Sequence, residues 1–274
     1  MIKSLGKKVS SPILNKFSLG NIAMFHIGRS GSTVLGDLLN QSPKILWDGE
    51  VYHTYVDWGG QKALRKGEDP AIDPVKLLQA QKIKARRRYY GFEVKFYHLD
   101  RTNISLSDYV QQISELGVSH FIILKRKNYL RKIVSSYVAF DKKKNNLRTI
   151  DQSDHHSADT KARLYQVTLN TDSVSIDGSE RSLLDHLDYY QHNFQKLDAE
   201  LADKKVLRLT YEEHIAEGPT KGYHQACDFL NISRHPVTVQ YGKTNPFKLS
   251  EIIQNFGEVE KTLTNTEFEW MLYE

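Results

Sequence analysis

The stretch Met24-Phe-His-Ile-Gly-Arg-Ser-Gly-Ser-Thr-Val-Leu35 constrains this chain more than any other. An apolar run stops at Gly28, passes through a basic residue and several hydroxyls, and resumes with helical spacing. Gly28 and Gly31 let the backbone bend close to a ligand, and a helix starting there directs free amides outward. Arg29, Ser30, Ser32 and Thr33 add further donors, so the segment reads as a strand, an anion cradle and a helix. A phosphate fits that description. Only Arg29 and Ser30 separate the two glycines, whereas a Walker A loop places four residues between its glycines and then needs Gly-Lys-Ser/Thr.

The same alternation runs through the chain. Asn21 to Ile27, Tyr90 to Tyr97, His120 to Lys125 and Lys205 to Leu209 are short apolar runs, which predict strands buried on both faces. Val34, Leu35, Leu38 and Leu39 form one helical stripe, and Leu130, Ile133, Val134, Tyr137 and Val138 another. Strand and helix in turn predict an α/β fold, a mostly parallel sheet with helices on both faces and ligands beyond the carboxyl ends of the strands. Residues 181–203 read as a long amphipathic helix packed on the sheet, because a coiled-coil seam needs more heptads. With 274 residues, one domain spanning 1–274 is expected, with a polar insertion or lid near 141–178. His155 and His156 in that stretch are neighbours in sequence and do not share a helix face, so no metal is expected.

Composition excludes a few classes. Hydrophobic residues at 39% and charged residues at 26% are those of a folded globular chain. No apolar run reaches membrane-span length and Met1-Ile-Lys-Ser-Leu-Gly-Lys-Lys lacks a signal core, so a cytoplasmic chain is expected. The single cysteine, Cys227, reads as a small buried hydrophobe. A net charge of +5 favours acidic ligands.

The Gly-Arg-Ser-Gly-Ser-Thr segment at 28–33 resembles the 5'-phosphosulfate-binding loop of sulfotransferases, in the form seen in many carbohydrate-type members. That resemblance implies a P-loop-like three-layer sandwich and a co-substrate, 3'-phosphoadenosine 5'-phosphosulfate, without a metal. Gly28, Arg29, Ser30, Gly31, Ser32 and Thr33 would then hold the 5' end. The 3'-phosphate needs a second basic site, and Phe121-Ile-Ile-Leu-Lys-Arg-Lys-Asn128 followed by Ser135 looks like the family's strand-terminal arginine and helical serine. Arg126 with Ser135 is favoured because a guanidinium can grip two oxygens; Lys127 and Ser136 are the rivals. Asn128 is placed to cap the intervening helix. Val206-Leu-Arg-Leu-Thr-Tyr-Glu-Glu213 matches the family's late strand and Tyr-Glu pair, with a positioning role.

The chemistry implied is in-line attack of an acceptor hydroxyl on sulfur, expelling the bisphosphate nucleotide. Arg29 would stabilise the growing charge. Glu50, in Ile45-Leu-Trp-Asp-Gly-Glu-Val-Tyr-His53 after the first helix, is the first choice of base, since carbohydrate-type members carry a glutamate there; Asp48 is its near rival. His98, at the end of Gly91-Phe-Glu-Val-Lys-Phe-Tyr-His98, is the second, because cytosolic members use a histidine after a later strand. Lys95 is a candidate extra cation. The acceptor is taken as a glycan or other small alcohol. Tyr52, His53, Tyr55 and Trp58 offer a stacking surface, although local packing is the commoner use of loop aromatics.

Two other functions compete. Phosphoryl transfer from a nucleoside triphosphate lacks the Walker lysine and a metal carboxylate. Nucleic-acid binding has Lys82-Ile-Lys-Ala-Arg-Arg-Arg-Tyr-Tyr90 and Lys142–Lys144 in its favour, but the aromatic interleaving is thin and basic runs on helix surfaces are commonly solvated.

Overall fold

Side-chain alternation along one strand separates the two faces of the molecule. In the computed structural model, which describes residues 19–53, 73–144, 164–242 and 246–274, β1 spans Gly20–His26. Ala23, Phe25 and Ile27 point into one apolar cluster, while Ile22 and Met24 point into the other. The other sheet strands are β2 (Ile45–Trp47), β3 (Tyr89–Lys95), β4 (Val118–Lys125) and β7 (Val206–Thr210). They form a five-stranded sheet in the order β2-β3-β1-β4-β7, with every pairing parallel. The fold is therefore α/β, a central parallel sheet flanked by helices.

The helices, α2 (Pro74–Gln81) among them, cover both faces. Helix α1 (Ser32–Asn40) and helix α7 (Pro219–Leu230) bury Leu35, Leu38, Leu39, Tyr223 and Cys227 against Ile22, Met24, Ile122 and Leu124. On the opposite face lie helices α4 (Leu106–Glu115), α5 (Tyr129–Lys144) and α6 (Leu183–Glu200), which bury Ile113, Ile133 and Leu187 against Phe25, Phe121 and Ile123. The stripe predicted for 181–203 thus lies in the core, with Ser182 capping α6 by accepting from the Asp185 amide. Cys227 is fully buried. Among the described residues no helix is long and apolar enough to cross a membrane.

One expectation needs correction. The strand predicted through Tyr97 ends at Lys95, and Phe96–Thr102 forms helix α3. The imidazole Nδ1 of His98 accepts the Lys95 amide at 3.2 Å, a local bond that turns the chain before the strand can continue. The polar stretch expected as an insertion or lid near 141–178 is described only in part. Residues 145–163, with His155 and His156, lie outside the described residues, but the segment that follows is built into the fold. Strands β5 (Val174–Ile176) and β6 (Ser179–Arg181) make an antiparallel hairpin whose Val174 and Ile176 are buried. Asp177 at its tip contacts the ammonium of the fully buried Lys132. A two-residue alternation among so many polar neighbours is too short to stand out in the sequence.

Candidate functional site

The Gly28 loop leaves the carboxyl end of the central strand, where an open parallel sheet gathers its ligands. Gly28, Arg29 and Gly31 all adopt left-handed backbone, with φ of 76°, 53° and 79°. At Gly31 a Cβ would lie 2.6 Å from Ile215 Cγ2, so the position needs glycine for space as well as for φ. Arg29 holds the same backbone despite its side chain, a strained conformation of the kind that gathers at ligand sites. Helix α1 begins without a capping side chain and without an acidic residue in its first turn, which leaves its amino-terminal dipole open to an anion.

The second basic segment meets this loop. Arg29 Nε donates to Ser135 Oγ at 2.9 Å, and Arg126 Nη1 donates to the Arg29 carbonyl at 2.6 Å. Arg29, Gly31, Ser32, Thr33, Arg126 and Ser135 line one cavity of about 280 Å³. Its far side is apolar and aromatic, formed by Tyr211, Ile215, Pro219, Val239 and Tyr241. Two buried polar atoms of these segments, Ser30 Oγ and Arg126 Nε, have no hydrogen-bond partner among the described residues. Of the two residues only Arg126 lines the cavity, and an unsatisfied guanidinium donor there is what a bound polyanion would satisfy.

The alternatives at the second segment differ in where their side chains lie. Arg126 is buried, sits over the Tyr211 ring at 4.6 Å and faces the cavity, and burial pushes its pKa down to about 10, so it stays charged at neutral pH. Lys127 turns outward to pair with Glu213. Ser135 lines the cavity, whereas Ser136 Oγ donates back to the Lys132 carbonyl at 3.1 Å. Asn128 Oδ1 accepts the Arg131 amide at 2.9 Å, the cap expected of it. Tyr211 backs Arg126, and the Glu212 carboxylate accepts the amides of Lys127 and Asn128 at 3.0 and 3.2 Å.

Glu50 stands on the other side of the loop. Its Oε2 lies 2.5 Å from Lys95 Nζ, and the Lys95 stem passes Gly28, where a Cβ would sit 3.6 Å from Lys95 Cε. Glu50 borders a second cavity, about 420 Å³, together with Asp37, Asp48 and Trp47. Thr33 and Tyr241 line both cavities, so the carboxylate side and the basic side adjoin. Asp48 accepts the Tyr90 hydroxyl at 2.8 Å. His98 is almost fully buried between Tyr52 and Tyr97, and burial, with the Lys95 charge second, drives its pKa down to about 2. Tyr52 is a core residue whose hydroxyl meets that of Tyr109 at 2.7 Å; Tyr55 and Trp58 lie outside the described residues.

Sequence reasoning missed His26 and Glu93. Both are buried; His26 Nε2 lies 3.0 Å from Glu93 Oε2, and Trp47 Nε1 donates to Glu93 Oε1 at 2.9 Å. The sequence signal was a histidine and a glutamate inside otherwise apolar strands. His26, Glu50 and Glu93 bring ligand-type atoms within 4.8 Å of one another. Nδ1 of His26 already accepts the Gly28 amide at 3.0 Å, so a neutral imidazole carries its proton on Nε2 and has no lone pair there for a metal.

No family model matches the chain, and no curated protein matches it. Among solved structures it is similar to a sulfotransferase from Alicyclobacillus acidocaldarius, with 13% identity, 83% of this chain and 87% of the other covered, and a TM-score of 0.47. It is similar also to a sulfotransferase domain from the curacin biosynthetic pathway, with 15% identity, 92% and 89% covered, and a TM-score of 0.44. A sulfotransferase domain from the Synechococcus PCC 7002 olefin synthase gives 17% identity, 88% and 83% covered, and a TM-score of 0.43. The reading of the site rests on its own residues.

Proposed function

We propose that this protein is a sulfotransferase that moves the sulfuryl group of 3'-phosphoadenosine 5'-phosphosulfate to an acceptor hydroxyl of a glycan or other small alcohol. The observation that carries this reading is the contact between Arg29 and Ser135 across one basic cavity, since it unites two anion-binding segments on different strands. A nucleotide with phosphates at both ends of its ribose needs two such segments, and the apolar wall formed by Tyr211, Ile215 and Tyr241 suits a purine between them.

In this reading the 28–33 loop and the start of α1 hold the 5' group, and Arg126 with Ser135 holds the 3'-phosphate. The acceptor oxygen forms a bond to sulfur as the bridging sulfur–oxygen bond breaks, and the bisphosphate leaves with the bonding electron pair. The acceptor proton passes to the Glu50 carboxylate, next to the Lys95 ammonium. Arg29 neutralises charge that grows on the transferring group and the leaving oxygen. His98 is the poorer base, because an imidazole whose pKa lies near 2 has little affinity for a proton.

The test is transfer of labelled sulfate from the donor to a panel of glycans, lipids and phenols. Glu50→Gln is expected to keep nucleotide affinity and to lose turnover by roughly 10²-fold or more. Undiminished turnover in Glu50→Gln would shift the base to His98. Binding of ADP with magnesium in preference to the 3',5'-bisphosphate would favour phosphoryl transfer instead.

A further inference from the structure

The parallel register of β1 and β3 places Met24 opposite Glu93 and His26 opposite Lys95, so His26 and Glu93 project from neighbouring strands onto one face of the sheet. That face is apolar around them, with Ile22, Met24, Leu35 and Leu209 buried nearby. A carboxylate and an imidazole taken out of water there carry a desolvation cost, which a methyl-bearing side chain would avoid. Two hydrogen bonds and one charge-pair contact link them in a line, the 3.0 Å contact of His26 Nε2 with Glu93 Oε2 lying outside hydrogen-bond geometry. Trp47 Nε1 donates to Glu93 Oε1, Glu93 Oε2 faces His26 Nε2, and His26 Nδ1 accepts the amide of Gly28. The line runs from β2 through β3 and β1 into the anion loop.

Its first member is held as tightly as its last. Trp47 rests against two glycines: a Cβ at Gly91 would lie 2.2 Å from its ring, and one at Gly36 would lie 2.5 Å from Nε1. Glycine inside helix α1 and inside β3 weakens both elements, so the close seat of the indole is made at their expense. An ionised carboxylate only accepts hydrogen bonds, and Glu93 is held below its ordinary value of 4.5: burial pushes it upward, but the His26 and Trp47 contacts and the Lys95 charge outweigh burial. Because His26 Nδ1 accepts the Gly28 amide, the proton of a neutral ring sits on Nε2, 3.0 Å from that carboxylate. Its Nδ1 lone pair is then fixed toward the Gly28 amide. The other tautomer would set an N–H against that N–H.

We propose that Glu93 and His26 are positioning residues for the anion loop: the carboxylate fixes the imidazole tautomer, and the imidazole holds the Gly28 amide and with it the left-handed turn that presents Arg29. The inference rests on the proposed sulfotransferase reading only for the name of the ligand. Glu50 and Lys95 are the other charged groups beside this line, and they pair with each other. Neither Glu93 nor His26 touches the transferring group in this account.

The test has two readouts on the full chain. Nitrogen-15 NMR of the histidine rings should show His26 as a neutral imidazole protonated at Nε2, and Glu93→Gln should abolish that locked signature. Calorimetry should then show that Glu93→Gln and His26→Phe lower affinity for the 3',5'-bisphosphate by roughly tenfold, about the worth of one hydrogen bond, while affinity for adenosine 3'-phosphate stays the same. His26→Asn, which can still accept from the Gly28 amide, should recover most of the loss. An Nδ1-protonated His26, or an equal loss for both nucleotides, would overturn the inference. If wild type bound neither nucleotide but kept the Nε2 signature, the proposed function would fail and the tautomer lock would stand.

Discussion

The two ends of the basic cavity are built by different means. At the carboxyl end of β1 the work falls to the backbone: three left-handed residues, a glycine packed against Ile215, and a helix start without a side-chain cap. At the carboxyl end of β4 it falls to side chains, with Arg126 stacked on Tyr211, the helix start capped by Asn128 and the amides just before it held by Glu212. A backbone device has no spare conformation, so altering it disturbs fold and binding together. A side-chain device separates the two, and losing its arginine harms the ligand more than the fold.

Four substitutions sharpen this contrast. Gly31→Ala combines a clash at Ile215 with a forced left-handed φ, and it should cost about 1–3 kcal/mol of stability along with most nucleotide affinity, read by thermal melts and calorimetry. Arg126→Ala should leave the melting temperature nearly unchanged and weaken the 3',5'-bisphosphate by about 1.5–3 kcal/mol, the range for hydrogen bonds to a charged group. The third concerns acid. Burial pushes the Asp177 carboxyl up, but Lys132 and Tyr190 outweigh it and hold it below 3.8. A carboxyl lowered in the folded state stabilises fully above its unfolded value, and that stability is lost as pH falls through the folded value. Asp177→Asn should therefore flatten the acid limb of melting temperature against pH. Lys127→Ala, on an exposed pair with Glu213, should change neither affinity nor melting temperature. A loss of binding in Lys127→Ala equal to that in Arg126→Ala would erase the distinction drawn at β4.

Much of this was legible in the chain. The buried strands stood out because apolar runs with polar boundaries are a strong signal, and Gly28 to Thr33 stood out because glycine and hydroxyl residues between a strand and a helix have few other uses there. The sequence left Arg126 and Lys127 open because both follow β4 at nearly the same distance from Ser135. Only the Tyr211 ring and the Glu213 carboxylate, some eighty residues later, separate them. His26 and Glu93 left only a faint mark in the sequence, for a related reason. A polar residue in a strand becomes informative only when its partner across the sheet is known, and strand order β2-β3-β1 cannot be read from spacing. The end of β3 was misplaced because His98 acts through one local bond that propensity does not contain.

The central claim is that the Gly28 loop and the Arg126–Ser135 segment hold one nucleotide from two ends. Calorimetry with adenosine 3',5'-bisphosphate, adenosine 5'-phosphate and adenosine 3'-phosphate tests it most directly. The account predicts that the bisphosphate binds well above either monophosphate, and that Arg126→Ala removes the advantage of the bisphosphate over the 5'-phosphate. Equal affinity for the bisphosphate and the 5'-phosphate in wild type would contradict it.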